Sequence, residues 1–129
     1  MPVTIPLKDH YHGDHWIGIL KIGPIQINTG TKEVPVLIPM PSPFVSGRIQ
    51  FRSLRGTLGY ELSTEEDSGE DKGTIIVIDA DTWEFEVPVQ PLPLEVGLWE
   101  WDFETIDADG VVLTPYEGML QVNQDKSYG

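Results

Sequence analysis

Residues 97–122 carry the pattern that most restricts the fold of this chain. Three aromatic residues, Trp99, Trp101 and Phe103, alternate with acidic residues, so a β-strand would place the aromatic rings on one face and the acids on the other. The sequence Asp-Ala-Asp-Gly follows at 107–110, with the short polar side chains and the glycine that a tight reversal uses, and a second apolar run comes next. The segment therefore predicts a β-hairpin with one face in a core and the other in solvent.

The rest of the chain favours strands as well. Eleven prolines and thirteen glycines interrupt it, and no window keeps apolar residues at the helical spacing i, i+3, i+4, i+7. Turn-rich spacers separate short apolar segments at fairly regular intervals, which is typical of a β-sandwich. At 129 residues the chain is predicted to form a single all-β domain over residues 1–129. The candidate strands are 3–8, 15–22, 25–28, 34–38, 47–52, 57–62, 73–78, 83–89, 98–106 and 111–122.

Alternation also selects the predicted core. Residues 83–89 and 48–52 alternate apolar and polar side chains and are predicted to be half-buried strands. Residues 74–78 do not alternate, so this strand is either covered on both faces or presents an apolar outer face to a partner chain. The predicted core residues are Trp16, Ile49, Phe51, Trp83, Phe85, Trp99, Trp101, Phe103, Leu120 and Val122.

Two segments are predicted to be irregular. Residues 31–44 contain four prolines, and because proline cannot donate to a sheet ladder, this segment is an edge strand or an extended arm that packs on a neighbouring subunit. Residues 63–72 form an acidic run that repels itself, and a solvated hairpin tip is the predicted structure.

Composition excludes several classes of function. The net charge is −13 and the basic residues form no stripe, so nucleic-acid binding is not expected. The chain has no cysteine, which removes disulfides, thiolate metal sites and cysteine nucleophiles. No apolar run approaches the ~20 residues that a membrane-spanning helix needs. The first seven residues lack the basic and apolar regions of a signal peptide, so the chain is expected to stay in the cytoplasm that makes it.

Metal sites find little support in the sequence. Residues 9–15 contain all three histidines, and His10, His12 and His15 are weak candidate ligands, but their spacing matches no closed structural site. The Asp-Ala-Asp sequences at 79–81 and 107–110 resemble the start of a calcium loop, yet Gln90 and Gly118 occupy the position where the closing glutamate would lie. Turn formation explains both sequences. Neither a metal nor another cofactor is therefore predicted.

Enzymatic activity is not predicted either. Carboxylate pairs on strands could hydrolyse glycosides, but strict alternation places them on the faces opposite the tryptophans. The chain has no serine elbow, phosphate-binding loop or His-Glu-x-x-His sequence. The carboxylates considered are Glu84, Glu86, Glu100, Asp102 and Glu104.

An ordered series of short motifs runs through nearly the whole chain. It consists of Gly-Asp-His-Trp at 13–16, Gly-Pro-Ile-Gln-Ile-Asn-Thr-Gly at 23–30, Gly-Arg-Ile-Gln-Phe-Arg at 47–52, Leu-Glu-Val-Gly-Leu-Trp-Glu-Trp-Asp at 94–102, Asp-Ala-Asp-Gly at 107–110 and Glu-Gly-Met-Leu-Gln-Val at 117–122. In this series the chain resembles the small immunoglobulin-like β-sandwich domains of tailed-phage baseplate and tail proteins, notably the N-terminal domain of upper baseplate proteins. Trp99 stands where that group usually has tyrosine, Gln26 where it has aspartate, and the proline-rich segment looks like an insertion.

The resemblance implies a non-enzymatic virion protein at the tail or baseplate, assembled in the host cytoplasm. Its expected partners are copies of itself, most simply in a trimer, and other phage tail or fibre proteins. The alternative is a carbohydrate- or receptor-binding module at the tail tip that contacts a glycan on the host surface, with Tyr11, Trp16, Tyr60 or Tyr116 as a stacking platform. The predicted oligomer contacts are Val34, Val36, Ile38, Met40, Phe44, Ile76 and Ile78.

Overall fold

A computed structural model describes residues 3–18, 21–65 and 72–124. Within these ranges the chain forms fourteen β-strands and no helix, and therefore no helix that could cross a membrane. The strands are β1 (Val3–Thr4), β2 (His10–Tyr11), β3 (His15–Trp16), β4 (Lys21–Ile22), β5 (Gln26–Asn28), β6 (Leu37–Pro39), β7 (Phe44–Ser53), β8 (Leu58–Ser63), β9 (Lys72–Thr74), β10 (Ile76–Asp79), β11 (Glu84–Glu86), β12 (Gln90–Pro91), β13 (Gly97–Asp107) and β14 (Val112–Asn123).

The predicted hairpin lies in the middle of the larger sheet. Strands β13 and β14 pair in antiparallel fashion across the 107–110 turn, and the strand order is β1-β14-β13-β7-β8-β9, with β2 also paired to β14. Between β13 and β7, Trp101 lies opposite Phe51 and Phe103 opposite Ile49. Because opposite residues in a ladder share a face, these side chains form one continuous apolar surface.

A second layer covers that apolar surface. It contains the three-stranded sheet β10-β11-β4 and the short pair β12-β3. Phe85 of β11 meets Phe103 edge-on at 5.3 Å between ring centroids, and Trp16 of β3 meets Phe51 at 5.5 Å. The fold is thus an all-β, immunoglobulin-like β-sandwich, as the sequence predicted.

The core prediction is confirmed for every residue except Trp99, which is only half-buried. The indole Nε1 of Trp99 donates a hydrogen bond to the carbonyl oxygen of Glu95 at 2.9 Å. Its ring therefore lies where the segment before β13 meets the sheet, at the rim of the core rather than inside it.

Phe44 corrects the list of predicted oligomer contacts. The structure buries it in the core, where its ring packs against Trp83 at 5.4 Å and Phe85 at 4.5 Å. Strand β7 begins at Phe44, earlier than predicted, and a shift in register opposite Ile106 and Asp107 turns the ring inward. Gly47 leaves room for it, because a Cβ there would lie 3.0 Å from the Phe44 ring.

The strand predicted over 83–89 is shorter in the structure. Only β11, Glu84–Glu86, pairs as a strand, because Trp83 before it has a φ of 57°, a left-handed conformation that ends the extended backbone. The indole of Trp83 is fully buried and its Nε1 donates to the carbonyl oxygen of Ser42 at 2.9 Å. Packing and this hydrogen bond hold the unusual backbone in place.

The proline-rich segment forms part of an ordered hairpin. Strands β5 and β6 pair antiparallel, with Ile27 opposite Ile38, so the predicted strand at 34–38 lies further along the chain. The Asn28 carboxamide oxygen accepts hydrogen bonds from the backbone N–H groups of Gly30 and Val36, at 2.9 and 3.0 Å. These bonds close the connection between the two strands. We call residues 26–39 the proline hairpin.

The acidic segment at 63–72 lies only partly within the described residues. Ser63 ends β8 and Lys72 begins β9, which pairs with β8 in parallel, whereas residues 66–71 are outside the described ranges. The prediction of a solvated hairpin tip falls mainly on those residues and stays a prediction.

Candidate functional site

The proline hairpin carries a row of exposed aliphatic side chains. Val34 is 69% exposed, and Val36 and Ile38 are also exposed, as is their neighbour Leu37, which the sequence analysis did not select. An exposed apolar surface of this kind typically marks a contact with another molecule.

A groove lies beside the hairpin and is also apolar. Its cavity volume is about 850 Å³, and it runs between the hairpin and the start of β14. None of its lining residues is charged, in a chain whose net charge is −13. We call it the hairpin groove; the aliphatic residues that line it are Val3, Ile25, Ile27, Leu37, Val112 and Leu113, with Met40 beside them.

The structure separates the remaining predicted contact residues into groups. Met40 is half-buried and lines the hairpin groove, whereas Val34, Val36 and Ile38 lie on the hairpin but do not line the groove. Ile76 lies on β10, away from it. The sequence analysis missed Val3, Val112 and Leu113, although the unbroken apolar run at 111–113 was a usable signal.

Strand β10 is the second apolar surface. The two alternatives for residues 74–78 are resolved: Ile75 points into the core, while Ile76, Val77 and Ile78 are exposed. Strand β10 also ends the order β10-β11-β4, so one side of its backbone has no strand partner among the described residues. The strand is therefore apolar on its outer face and is not covered on both faces.

The outer face of the larger sheet carries a cluster of charged and polar side chains, beside exposed apolar ones such as Leu98, Ile106 and Met119. Glu61 is buried there. Its carboxylate accepts a hydrogen bond from the Gln50 amide at 2.7 Å and forms an ion pair with Lys72 at 3.0 Å. Burial alone would raise the pKa of Glu61, but these two contacts and the Arg48 charge hold it below its usual value. Each group has a partner, so the cluster stabilises the sheet rather than offering a reactive group.

Asp102 lies on the same outer face. Burial raises the pKa of its carboxyl group above the ordinary value, and the neighbouring Glu104 adds to the effect, while Arg52 and Arg48 oppose it. A raised carboxyl pKa can indicate a general acid. Here Glu104 already pairs with Arg48 at 2.9 Å, and Arg52 lines the same cavity as Asp102. The arrangement is that of a salt-bridged sheet surface.

The histidine-rich segment does not form a metal site in the described part of the chain. The structure brings no three potential ligands together there. His10 is buried, His15 is exposed, and His12 places its Nδ1 2.8 Å from the carbonyl oxygen of Leu94. These side chains occupy three different environments.

Both Asp-Ala-Asp sequences act in turns. The Asp107 carboxylate accepts hydrogen bonds from the backbone N–H groups of Asp109 and Val111, at 2.8 and 3.0 Å. The Asp79 carboxylate accepts from the N–H groups of Asp81 and Thr82 in the same way. The turn interpretation is confirmed, because each of these carboxylates is held by backbone N–H groups within its own turn.

Burial removes one of the four aromatic residues considered as a stacking platform. Trp16 is buried against Phe51, so its ring face is not available for stacking on a sugar. Tyr11, Tyr60 and Tyr116 are each half-buried.

Comparisons with known proteins add little to this picture. No protein-family model matches the chain, and no curated protein matches it. Among solved structures the chain is similar to CopC from Methylosinus trichosporium OB3b, with a TM-score of 0.41 and 12% identity over 92% of this chain and 86% of that one. At this level the likeness carries no information about function.

Proposed function

We propose that this chain is a non-enzymatic structural protein that assembles with copies of itself through the proline hairpin and the hairpin groove. The observation that carries the proposal is the uncharged groove of about 850 Å³ beside an ordered hairpin with exposed valine, leucine and isoleucine side chains. The two surfaces are complementary: a projecting apolar row and an apolar recess on one chain.

Charge favours a second copy as the occupant. Two chains of net charge −13 repel one another over most of their surfaces. The groove has no charged residue in its lining, so two copies can meet there without opposing carboxylates. A projection on one copy that fits a recess on the next makes a head-to-tail contact, which closes into a ring when the rotation permits.

The prolines determine how the contact is made. Pro35 and Pro39 have no N–H group, so the hairpin cannot extend a partner's sheet along its whole length. Side-chain docking into an apolar recess is then the favoured mode. Strand β10, with its open backbone edge and exposed Ile76 and Ile78, is proposed as a second contact that can pair edge to edge.

The resemblance described in the sequence analysis suggests the setting for this assembly. We propose a tail or baseplate protein of a tailed phage, located in the virion, that forms a trimer and connects other tail or fibre proteins. This assignment depends on the ordered motif series, whereas the proposal of self-assembly depends on the two apolar surfaces. The two parts can therefore fail separately.

The experiment is a measurement of mass by light scattering across a tenfold range of concentration. Wild-type protein should give a stable trimer or higher ring. Val36→Glu places a charge on the hairpin, and Val112→Glu places one in the groove, so each variant should be monomeric. Leu54→Glu, at an exposed apolar residue of the β7–β8 turn, is the matched control and should assemble as wild type does.

Mixing the two variants tests the head-to-tail geometry directly. The Val36→Glu chain keeps an intact groove and the Val112→Glu chain keeps an intact hairpin, so an equimolar mixture should form dimers although neither variant does alone. A wild-type monomer at every concentration, or a mixture that stays monomeric, would contradict the proposal.

A further inference from the structure

One row of residues crosses the outer face of the larger sheet from β1 to β9. In the order β1-β14-β13-β7-β8-β9 it consists of Thr4, Glu117, Asp102, Gln50, Glu61 and Lys72, each opposite the next. Two acidic residues, Glu117 on β14 and Asp102 on β13, are therefore direct neighbours. Opposite residues of an antiparallel pair have Cβ atoms about 4.5–5.5 Å apart, and like charges there destabilise the pair. We call these two residues the carboxylate pair.

The two arginines of β7 on this face are engaged by groups outside the carboxylate pair. Arg48 forms an ion pair with Glu104 at 2.9 Å, and Arg52 donates a hydrogen bond to the carboxamide oxygen of Gln50. Within the part of the chain that the structure describes, the carboxylates of the pair form no ion pair and no hydrogen bond. The pair therefore stands apart from the salt bridges around it.

Asp102 is the member of the pair that is less exposed to water. It is half-buried, whereas Glu117 is exposed, so solvent stabilises the charge of Glu117 more effectively. Burial raises the pKa of Asp102 above the ordinary 3.8, as do the charges of Glu104 and Glu117, while Arg52 and Arg48 oppose the rise. When the pair takes up a proton, that proton therefore belongs to Asp102.

A proton on Asp102 reverses the interaction between the two strands. Two ionised carboxylates only accept hydrogen bonds, so they repel one another and cannot bond. A protonated carboxyl group has one O–H that donates, and a carboxylate opposite it is a charged acceptor. Such charge-assisted hydrogen bonds are about twice as strong as those between neutral groups. The register that makes the ionised pair unfavourable thus places an acceptor opposite the new donor.

We propose that the carboxylate pair makes the β13–β14 ladder acid-responsive: when Asp102 takes up a proton, its carboxyl group donates a hydrogen bond to the Glu117 carboxylate. Strand β14 also carries β1 and β2, so the response acts on the strands that join one side of the sheet to its centre. The folded chain holds this proton at a pH where the unfolded chain has released it, so a fall in pH toward 3.8 favours folding. The proposal is independent of self-assembly.

The first experiment compares urea unfolding of wild type and Asp102→Asn at a series of pH values from 7 to 4. The asparagine amide donates a hydrogen bond at every pH and so imitates the protonated aspartic acid. The variant should be more stable than wild type at pH 7, and the difference should shrink as the pH falls. Each pKa unit between folded Asp102 and an ordinary aspartic acid corresponds to a tenfold change in the unfolding equilibrium. His10 is present in both proteins, so its opposite dependence on pH cancels in the difference.

The second experiment follows the titration of Asp102 by carboxyl ¹³C NMR, with its signal identified by its absence from Asp102→Asn. Glu117→Ala removes both the like charge and the acceptor, so the pKa of Asp102 should fall. Glu100→Ala is the matched control. Glu100 is a glutamate two residues from Asp102 on the same strand and face, but it lies opposite Met119 and Arg52. Its removal should therefore shift the titration of Asp102 less.

Three outcomes would overturn the proposal. Two come from the unfolding series: equal stability of wild type and Asp102→Asn at pH 7, or the same dependence on pH in both proteins. The third is an Asp102 titration that Glu100→Ala shifts as far as Glu117→Ala does. The response would then belong to the total charge of the face and not to the carboxylate pair.

Discussion

The contact between Phe85 and Phe103 joins the two layers of the sandwich and can be measured as a coupling energy. Both rings are fully buried, 5.3 Å apart at an interplanar angle of 83°, the edge-to-face arrangement that aromatic pairs prefer. Replacing either ring by leucine keeps most of the volume and the apolar character. Each single variant should therefore lose only about 1 kcal/mol in the free energy of unfolding and still fold.

The double variant Phe85→Leu, Phe103→Leu should lose less than the sum of the two singles. The edge-to-face interaction is lost once in either single variant and cannot be lost twice, so the expected coupling is about 0.5–1.5 kcal/mol. The assay is urea denaturation of wild type, both singles and the double, with the dependence on denaturant unchanged across the set.

A matched cycle supplies the control. Combining Phe85→Leu with Leu54→Ala, at an exposed residue of the β7–β8 turn, should give additive losses to within about 0.3–0.5 kcal/mol. Additivity of the Phe85 and Phe103 substitutions would refute the reasoning, because the two sheets would then not meet through these rings. A coupling of the same size in the Leu54 cycle would show that the substitutions disturb the whole fold.

Three further predictions follow from single contacts. Trp101→Ala should reduce the free energy of unfolding by about 3–5 kcal/mol because the side chain is almost wholly buried, and a loss below about 1 kcal/mol in denaturant would contradict its place in the core. Asp107→Ala removes the acceptor of two backbone hydrogen bonds and should cost about 1–3 kcal/mol, measured in the same way. Asp109→Ala should cost less, because among the described residues its carboxylate accepts a hydrogen bond from the Ser42 hydroxyl alone. The pKa of His10 is lower in the folded chain than its ordinary 6.5, so the unfolded chain binds the proton more readily. The free energy of unfolding should therefore fall as the pH drops below 6.5. Thermal melts at a series of pH values should show that this part of the fall is absent from His10→Phe.

The central hairpin could be predicted because its information is local. Alternation over 99–103 and the turn at 107–110 determine face and connection within a few residues, and β13 and β14 form as expected. The inward turn of Phe44 was not predictable in this way. It depends on a one-residue shift of register against β13, and such a shift has no signature in the sequence of β7 alone.

The hairpin groove could not be predicted from the sequence, for a related reason. Its walls come from β1, the proline hairpin and the start of β14, so Val3, Leu37 and Val112 are brought together only by the tertiary fold. The sequence analysis named the histidines only as weak candidate metal ligands, and the described residues bring no three ligands together. The burial of His10, where β2 pairs in parallel with β14, could not be predicted from the segment alone.

The exposed apolar residues outside the core bear most directly on the function of the chain. On the outer face of the larger sheet, Arg48 pairs with Glu104 and Lys72 with Glu61, so these outward charged side chains form ion pairs with one another. Val36 on the proline hairpin and Ile76 on β10 are outward aliphatic side chains where a polar residue would serve folding equally well. The core closes without them. The self-assembly proposed above would cover them, and in an acidic chain the covering surface would have to lack carboxylates, as the hairpin groove does.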